Sequence, residues 1–335
     1  MPDFEKLVDL AAERMGAAVI YATDDFFAAK ENLLHPGRGE FIPGKYTENG
    51  KWMDGWESRR KRTPGHDWAI IRLAMPGLVR GFDVDTHHFL GNAPKAVSFE
   101  AQSVEGYVPT SQLLASTEWK PLVPETAVNP GSQNFIEVNG GGPITHLKFH
   151  IYPDGGVARL RVYGEVVPNW TQLVAEHRVL DLAAVEHGGV PILASDEFFS
   201  DKRNLVMPGR SRDMGDGWET KRRRGPGSDW VVVKLGRAGE ISRLVVETTH
   251  FKGNYPDRCM IEGVHAPGLE GKPEAVSAAA WKPLLPETKL EAHTSHLFAG
   301  AQLQALGGIT HVRLNIYPDG GVARLRVFGA PSESR

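Results

Sequence analysis

A single cysteine, Cys259, stands among 335 residues, which excludes an intramolecular disulfide framework and a multi-cysteine zinc site. No apolar run approaches the ~18 residues that span a bilayer. An excess of one charge is also lacking. The chain has 38 Lys and Arg against 41 Asp and Glu, a formal net charge of −3, without the basic surplus of a protein built to coat nucleic acid. Apolar residues at 41% and charged residues at 24% lie near the globular norm and argue against disorder or a fibrous repeat. There is no G-x-S-x-G elbow, no P-loop and no H-E-x-x-H, the best-marked routes to serine hydrolysis, nucleotide binding and zinc proteolysis. Met1–Lys6 carries no signal pattern and Ser332–Arg335 no lipidation or peroxisomal address, so the expectation is a cytoplasmic protein with no membrane and no nucleic-acid partner. Turn-formers are plentiful instead: 37 Gly and 23 Pro.

The chain repeats itself. Asp54–Asn92 matches Asp216–Asn254 at 18 of 39 positions with an offset of 162, and Ile144–Gly164 matches Ile309–Gly329 at 16 of 21 with an offset of 165. Asp24, Phe26, Phe27 and Asn32 return as Asp196, Phe198, Phe199 and Asn204, now offset by 172. The first copy therefore holds ten extra residues between His35 and Met53, and the second holds three between Glu287 and Ile309. A period this long is a whole domain. The expected division is residues 1–168 and 169–335, each copy opening on a short helix, around Phe4–Arg14 and Leu173–His187.

Inside each copy the period is two. Leu147, Phe149 and Ile151 alternate with His146, Lys148 and His150, and Ala158, Leu160 and Val162 form one face of the next strand. Asp67–Leu73 and Leu78–Thr86 read as two more strands parted by Met75-Pro76-Gly77. Short strands with regular turn signals predict an all-β fold of two tandem sandwiches of the jelly-roll or Greek-key kind.

Three polar clusters persist in both copies. In Gly55–Arg62 and Gly217–Arg224, Arg60, Arg62, Arg222 and Arg224 are arginine in both, whereas Arg59/Lys221 and Lys61/Arg223 exchange. A fixed arginine suits two-pronged recognition of a carboxylate, and an exchangeable cation suits a solvated charge. The plainer alternative is a basic turn answered by nearby acids. Glu57 and Glu219, each beside a tryptophan, are candidate acids or bases, or partners of those arginines. In Asp85–Asn92 and Glu247–Asn254, a carboxylate, a hydroxyl, an imidazole and an amide enter a Gly-Asn turn. On an extended strand Thr86 and His88 would share one face and Asp85 the other. His88 and His250 are the proton-transfer candidates, against the alternative of a histidine bonded to its own turn. Asp85 and Glu247 are secondary candidates. The third cluster, Thr145-His146 and Thr310-His311, leads into a shared Asp-Gly-Gly hairpin signal at 154–156 and 319–321. It reads as mainly structural, with Arg159, Arg161, Arg324 and Arg326 paired to acids on neighbouring strands, and with His146 and His311 as further secondary candidates. Thirteen histidines show no close-spaced ligand motif, so metal ligands are unassigned.

Two copies of Gly-Trp-Glu-x-x-Arg, Asp/Glu-Thr-x-His-Phe-x-Gly-Asn, Trp-x-Pro-Leu-x-Pro and Ile-Tyr-Pro-Asp-Gly-Gly-x-Ala-Arg-Leu-Arg make the chain resemble the allantoicase (allantoate amidinohydrolase) family from about Val19 to Gly329. The resemblance implies a repeated jelly roll similar to discoidin-type galactose-binding domains. It also implies hydrolysis of allantoate to (S)-ureidoglycolate and urea in allantoin degradation, a homo-oligomer and, for some members, a response to a divalent metal such as manganese. Allantoate carries one carboxylate and two neutral ureido groups on one carbon. Its site needs a cation, hydrogen-bonding groups for the ureido arms and an acid for the departing urea nitrogen. It also needs a base for water, unless the remaining ureido nitrogen expels urea first. On that chemistry Arg60 and Arg222 hold the carboxylate with Arg62 and Arg224 alongside, Asn92 and Asn254 bind the ureido groups, and His88, His250, Glu57 and Glu219 move the protons. One composite site and two separate ones both fit. The competing function is a non-enzymatic tandem carbohydrate-binding module using Trp52, Trp56 and Trp218, which leaves the arginine–carboxylate–histidine set without a purpose.

Overall fold

The alternation in Ile144–Tyr152 has the expected outcome: Leu147, Phe149 and Ile151 are all fully buried. The computed structural model describes residues 2–332; Met1 and residues 333–335, parts of the two terminal segments considered for targeting motifs, lie outside the described residues. The chain forms two units, Met1–Val167 and Pro168–Arg335. In the first, the main strands are β1 (Ala18–Ala22), β2 (Asp67–Asp85), β3 (Ala96–Gln102), β4 (Lys120–Ala127), β5 (Gln133–Glu137), β6 (Ile144–Tyr152) and β7 (Arg159–Val166). The second repeats them as β8 (Val190–Ala194), β9 (Asp229–Glu247), β10 (Arg258–Val264), β11 (Lys282–Lys289), β12 (Ser295–Ala299), β13 (Gly308–Tyr317) and β14 (Arg324–Pro331).

β2 organises the first unit. Up to Arg72 it pairs with β1 and β6, and from Gly77 onward it pairs with β7 and β5. β6 extends the first layer through β3 to β4. One strand thus serves both layers of a jelly-roll sandwich. The layers meet where Phe82 of β2 stacks on Phe99 of β3, 3.8 Å between ring centroids, and Phe99 on Phe149 at 4.9 Å. β9 divides in the same way between β8 and β13 on one side and β14 and β12 on the other.

Three expectations of local structure change. Asp67–Leu73 and Leu78–Thr86 are one 19-residue strand ending at Asp85. Pro76 has no amide hydrogen for a ladder, and here it marks the bend where the strand changes layers rather than a turn. The Asp-Gly-Gly segments do not close hairpins, because β6 and β7 both pair with β2 and not with each other. Gly156-Val157 instead pairs with Trp56-Glu57. The opening helices are also shorter than read. Phe4–Arg14 resolves into 3-10 turns at Asp3–Lys6 and Glu13–Met15 around a two-residue strand, Val8–Asp9. Leu173–His187 holds the end of an α-helix, Trp170–Glu176, then Leu180–Asp181 and a 3-10 turn. Asp9 explains the break, since its Oδ1 accepts the amides of Ala11 and Val162 at 3.1 and 3.0 Å and ties this stretch to β7. Asp181 does the same with Ala183 and Val327.

Candidate active site

Three motifs far apart in sequence meet where β2 ends. Glu57 lies opposite Gly156 in the short ladder, and the turn after β2 closes with the Phe89 amide donating to the Thr86 carbonyl at 2.9 Å. Phe89 is fully buried between the two segments. A Cβ on Gly156 would run into its ring, and one on Gly55 would meet it at 2.9 Å, so the close approach requires glycine at both positions. The Asn92 carbonyl then accepts the Gly156 amide at 2.8 Å. Phe251, Gly217, Gly321 and Asn254 reproduce this docking in the second unit.

That docking brings a carboxylate and an amide together. Asn92 Nδ2 donates to Glu57 Oε1 at 2.7 Å, and Asn254 Nδ2 to Glu219 Oε1 at 2.6 Å. Burial pushes the Glu57 carboxyl above its ordinary pKa, against the lowering effect of the Asn92 hydrogen bond. Among the described residues neither glutamate pairs with an arginine, so the alternative of a structural partner for the arginine cluster is not what the fold builds.

The histidines are placed differently from the sequence expectation. Because the strand stops at Asp85, His88 is in a turn, with φ 68°, and His250 likewise has φ 72°. Together with His293 (φ 52°) they are the non-glycine residues with positive φ among those described, a conformation that costs about 1–2 kcal/mol and gathers at functional sites. Thr86 does not face outward with His88. It is fully buried and its hydroxyl donates to the Asn129 carbonyl at 2.7 Å. The His88 ring leans on Phe41, with centroids 5.6 Å apart, and on His87, at 3.9 Å. Neither of its nitrogens is hydrogen-bonded to a described residue. His250 Nε2 donates to the Ser211 carbonyl at 2.9 Å, which leaves Nδ1 as the basic nitrogen, and its amide donates to His293 Nδ1 at 2.8 Å.

The basic run separates into paired and unpaired cations. Arg59 bonds Asp24 and Lys61 bonds Asp67; Lys221 bonds Asp196 and Arg223 bonds Asp229. Arg60, Arg62, Arg222 and Arg224 are exposed and have no ion-pair partner among the described residues. The exchangeable cations are therefore the neutralised ones, contrary to their reading as solvated charges. The fixed arginines are the ones left for a ligand.

The remaining candidates have other surroundings. Asp85 is buried, accepts Arg38 Nε and Nη2 at 3.0 and 3.2 Å, and caps the His87 amide at 2.9 Å; its counterpart Glu247 has no such ion pair among the described residues. His146 and His311 sit at the far end of β6 and β13 from the site, buried, with Nδ1 against Thr145 and Thr310 hydroxyls at 2.8 and 2.9 Å. Burial lowers both, His311 to about 4. Arg159 and Arg324 pair with Asp54 and Asp216, while Arg161 and Arg326 lie by Asp9 and Asp181. Among the described residues no group of three or more His, Cys, Asp or Glu is placed to hold a metal ion, so the residues on view do not fit one. Sequence reasoning passed over Asp154 and Asp319, which cap amides in the basic run. Their presence in both copies was the available signal, read there as turn chemistry. Phe41 lies in the extra residues of the first copy, and Ser211 and His293 stand where that copy has Gly39 and Gly131, so none of the three carries a repeated identity.

Comparison with known proteins agrees with this layout. The allantoicase repeat family model matches residues 8–167 and again 180–332. The chain is 48% identical over 329 residues to a probable allantoicase 1 of Burkholderia mallei, covering 98% of this chain and 96% of that protein. It is 47% identical over 330 residues to a probable allantoicase of Pseudomonas fluorescens, covering 98% of each. The crystal structure of allantoicase from Saccharomyces cerevisiae superposes with a TM-score of 0.79 at 35% identity, covering 97% of this chain and 93% of that one.

Proposed function

The chain belongs to the allantoicase family, and from that premise we propose that each unit holds its own allantoate site, made by Glu57, His88, Asn92, Arg60 and Arg62 in the first and Glu219, His250, Asn254, Arg222 and Arg224 in the second. The enzyme hydrolyses allantoate to (S)-ureidoglycolate and urea, a carbon–nitrogen bond cleavage, and the carbohydrate-module alternative is set aside. The observation that carries the two-site reading is the repetition of the Glu–Asn pair, at 2.7 and 2.6 Å, in units whose Arg60, Arg62, Arg222 and Arg224 have no ion-pair partner among the described residues.

In this reading the guanidiniums bind the substrate carboxylate and the amide orients a ureido arm. The lone pair of one ureido nitrogen forms a C=N bond as the other C–N bond breaks, and His88 or His250 gives the departing urea nitrogen its proton. Water then adds to the same carbon while Glu57 or Glu219 takes its proton, and transfer from carboxyl to imidazole restores both groups. Electron demand is met by the substrate itself, so the side chains only bind, orient and move protons. No step needs a bound metal. By the same resemblance we read the enzyme as a cytoplasmic homo-oligomer without nucleic-acid or membrane partners. No helix among the described residues is long and apolar enough to cross a membrane.

Urea release by unit-specific variants tests the proposal. Glu57→Gln and Glu219→Gln should each leave about half the turnover per chain, and the double variant should lose at least about a hundredfold, the scale of general-base catalysis. Abolition by either single change would refute two independent sites.

A further inference from the structure

We propose that Asp24 and Asp154 in the first unit, and Asp196 and Asp319 in the second, are positioning residues that present Arg60 and Arg62, or Arg222 and Arg224, to the substrate carboxylate. The inference rests on the reading above that these arginines bind it. Four consecutive cations repel one another, and an exposed run of them should have no preferred shape. Here alternate residues are fixed twice over. Asp24 Oδ1 accepts the Arg59 amide at 2.9 Å while its Oδ2 takes Arg59 Nε at 2.7 Å. Asp154 Oδ2 accepts the Lys61 amide at 2.8 Å, and Lys61 Nζ reaches Asp67 at 2.5 Å. Thr23, next to Asp24 in sequence, donates its hydroxyl to Asp67 at 2.8 Å, which ties the segment carrying Asp24 to the carboxylate that holds Lys61.

The second unit repeats the clamp with different cations. Asp196 Oδ1 accepts the Lys221 amide at 2.8 Å and its Oδ2 pairs with Lys221 Nζ at 3.1 Å. Asp319 Oδ2 accepts the Arg223 amide at 2.7 Å, and Arg223 pairs with Asp229. This accounts for the exchange of Arg and Lys at 59/221 and 61/223: each side chain need only neutralise one carboxylate, while the main-chain bond does the positioning. Although burial opposes it, the Arg59 amide and guanidinium hold Asp24 below the ordinary carboxylate range, and the Lys221 amide and ammonium do so for Asp196. Asp154 and Asp319 further belong to the loop whose next residues hold the glutamate. Ser58 donates its amide to Gly155 at 3.1 Å and Glu57 lies opposite Gly156. One loop therefore sets arginines and glutamate in register.

The test uses the full chain with four measurements: KM and kcat for allantoate, the thermal midpoint, and rescue. Asp154→Ala with Asp319→Ala should raise KM about tenfold, the scale of one lost hydrogen bond to an ordered group, with kcat within about twofold. The Asp154→Asn/Asp319→Asn pair keeps an acceptor oxygen for the amide and should bring KM back to within about threefold of the parent. An unchanged KM in the alanine pair, or a failure of asparagine to rescue it, would overturn the positioning role. Should the alanine pair not fold, Asp24→Ala with Asp196→Ala takes its place, since alanine offers no acceptor to the Arg59 and Lys221 amides. Freeing residues 59 and 221 should raise KM at least about threefold, and no change overturns the proposal. A control with Arg60, Arg62, Arg222 and Arg224 all changed to Ala separates the two claims. If that variant keeps its KM, the carboxylate-binding reading fails; if only the aspartate variants keep theirs, the clamp alone fails.

Discussion

The two units share a frame and differ in what surrounds their histidines. Both have the buried phenylalanine docked on two glycines, the Glu–Asn pair and the clamped basic run. Only the first has the longer 35–53 loop, in which Phe41 leans on His88, Lys51 lies 4.4 Å above Phe41, Lys45 lies 3.6 Å above Trp52, and Arg38 braces Asp85. Asn49 of that loop also donates to the Phe26 carbonyl at 2.8 Å. The second unit lacks the loop. There Phe198 and Phe199 are 69% and 62% exposed, against 43% for Phe26, and His250 is held instead by Ser211 and His293. After duplication the parts fixed by close packing have stayed alike, while the imidazole has found two different supports. The chemistry assigned to the frame should therefore be common to both units, and properties that depend on the histidine's support should separate them.

The largest effect should come from breaking the common frame. Phe89→Ala or Phe251→Ala removes a fully buried ring and should cost about 3–5 kcal/mol in the unit that carries it, along with that unit's share of turnover. Denaturation followed by calorimetry should show one unit destabilised and the other near its parent. Equal destabilisation of both would show that the units do not behave separately.

A smaller effect should sharpen the difference. His88→Gly relieves a left-handed conformation without losing a ring hydrogen bond, and glycine's greater unfolded freedom offsets the gain, so its thermal midpoint should hardly move. His250→Gly also loses the Ser211 bond and should cost about 1 kcal/mol. Both should lose turnover in their own unit. Equal midpoints would dismiss the claim that the supports differ in strength.

The smallest concerns pH. With Glu219→Gln silencing the second unit, turnover comes from Glu57 acting in its ionised form. Its folded pKa is raised, so kcat/KM should fall, as the pH drops, through a value above the ordinary 4.5 of glutamate. An acid limb at or below that value would contradict a base in this burial.

Much of this was legible in the sequence. The duplication and the period of two are carried by residue identity, and they lead to two β-sandwiches without further information. The continuity of β2 was not legible, because Pro76-Gly77 reads the same at a turn as at a bend between layers. Nor was the Glu57–Asn92 bond, which depends on Phe89 docking between segments a hundred residues apart. The left-handed histidines left no trace, since only glycine announces positive φ by its identity. The arginine pattern was half legible. Fixed positions stand out for a ligand, but the exchangeable ones read as solvated, because residue pattern alone does not show that Arg59 meets Asp24, 35 residues away, or that Lys61 meets Asp67, six residues on and across a Thr-Pro-Gly turn.

The central claim is that one chain carries two complete sites. The most direct measurement is the binding stoichiometry of allantoate on the Glu57→Gln/Glu219→Gln chain, which should bind without turnover, by titration calorimetry. The account predicts two molecules per chain, falling to one when Arg60 and Arg62 are also changed to Ala. One molecule per chain in the double glutamine variant would contradict it.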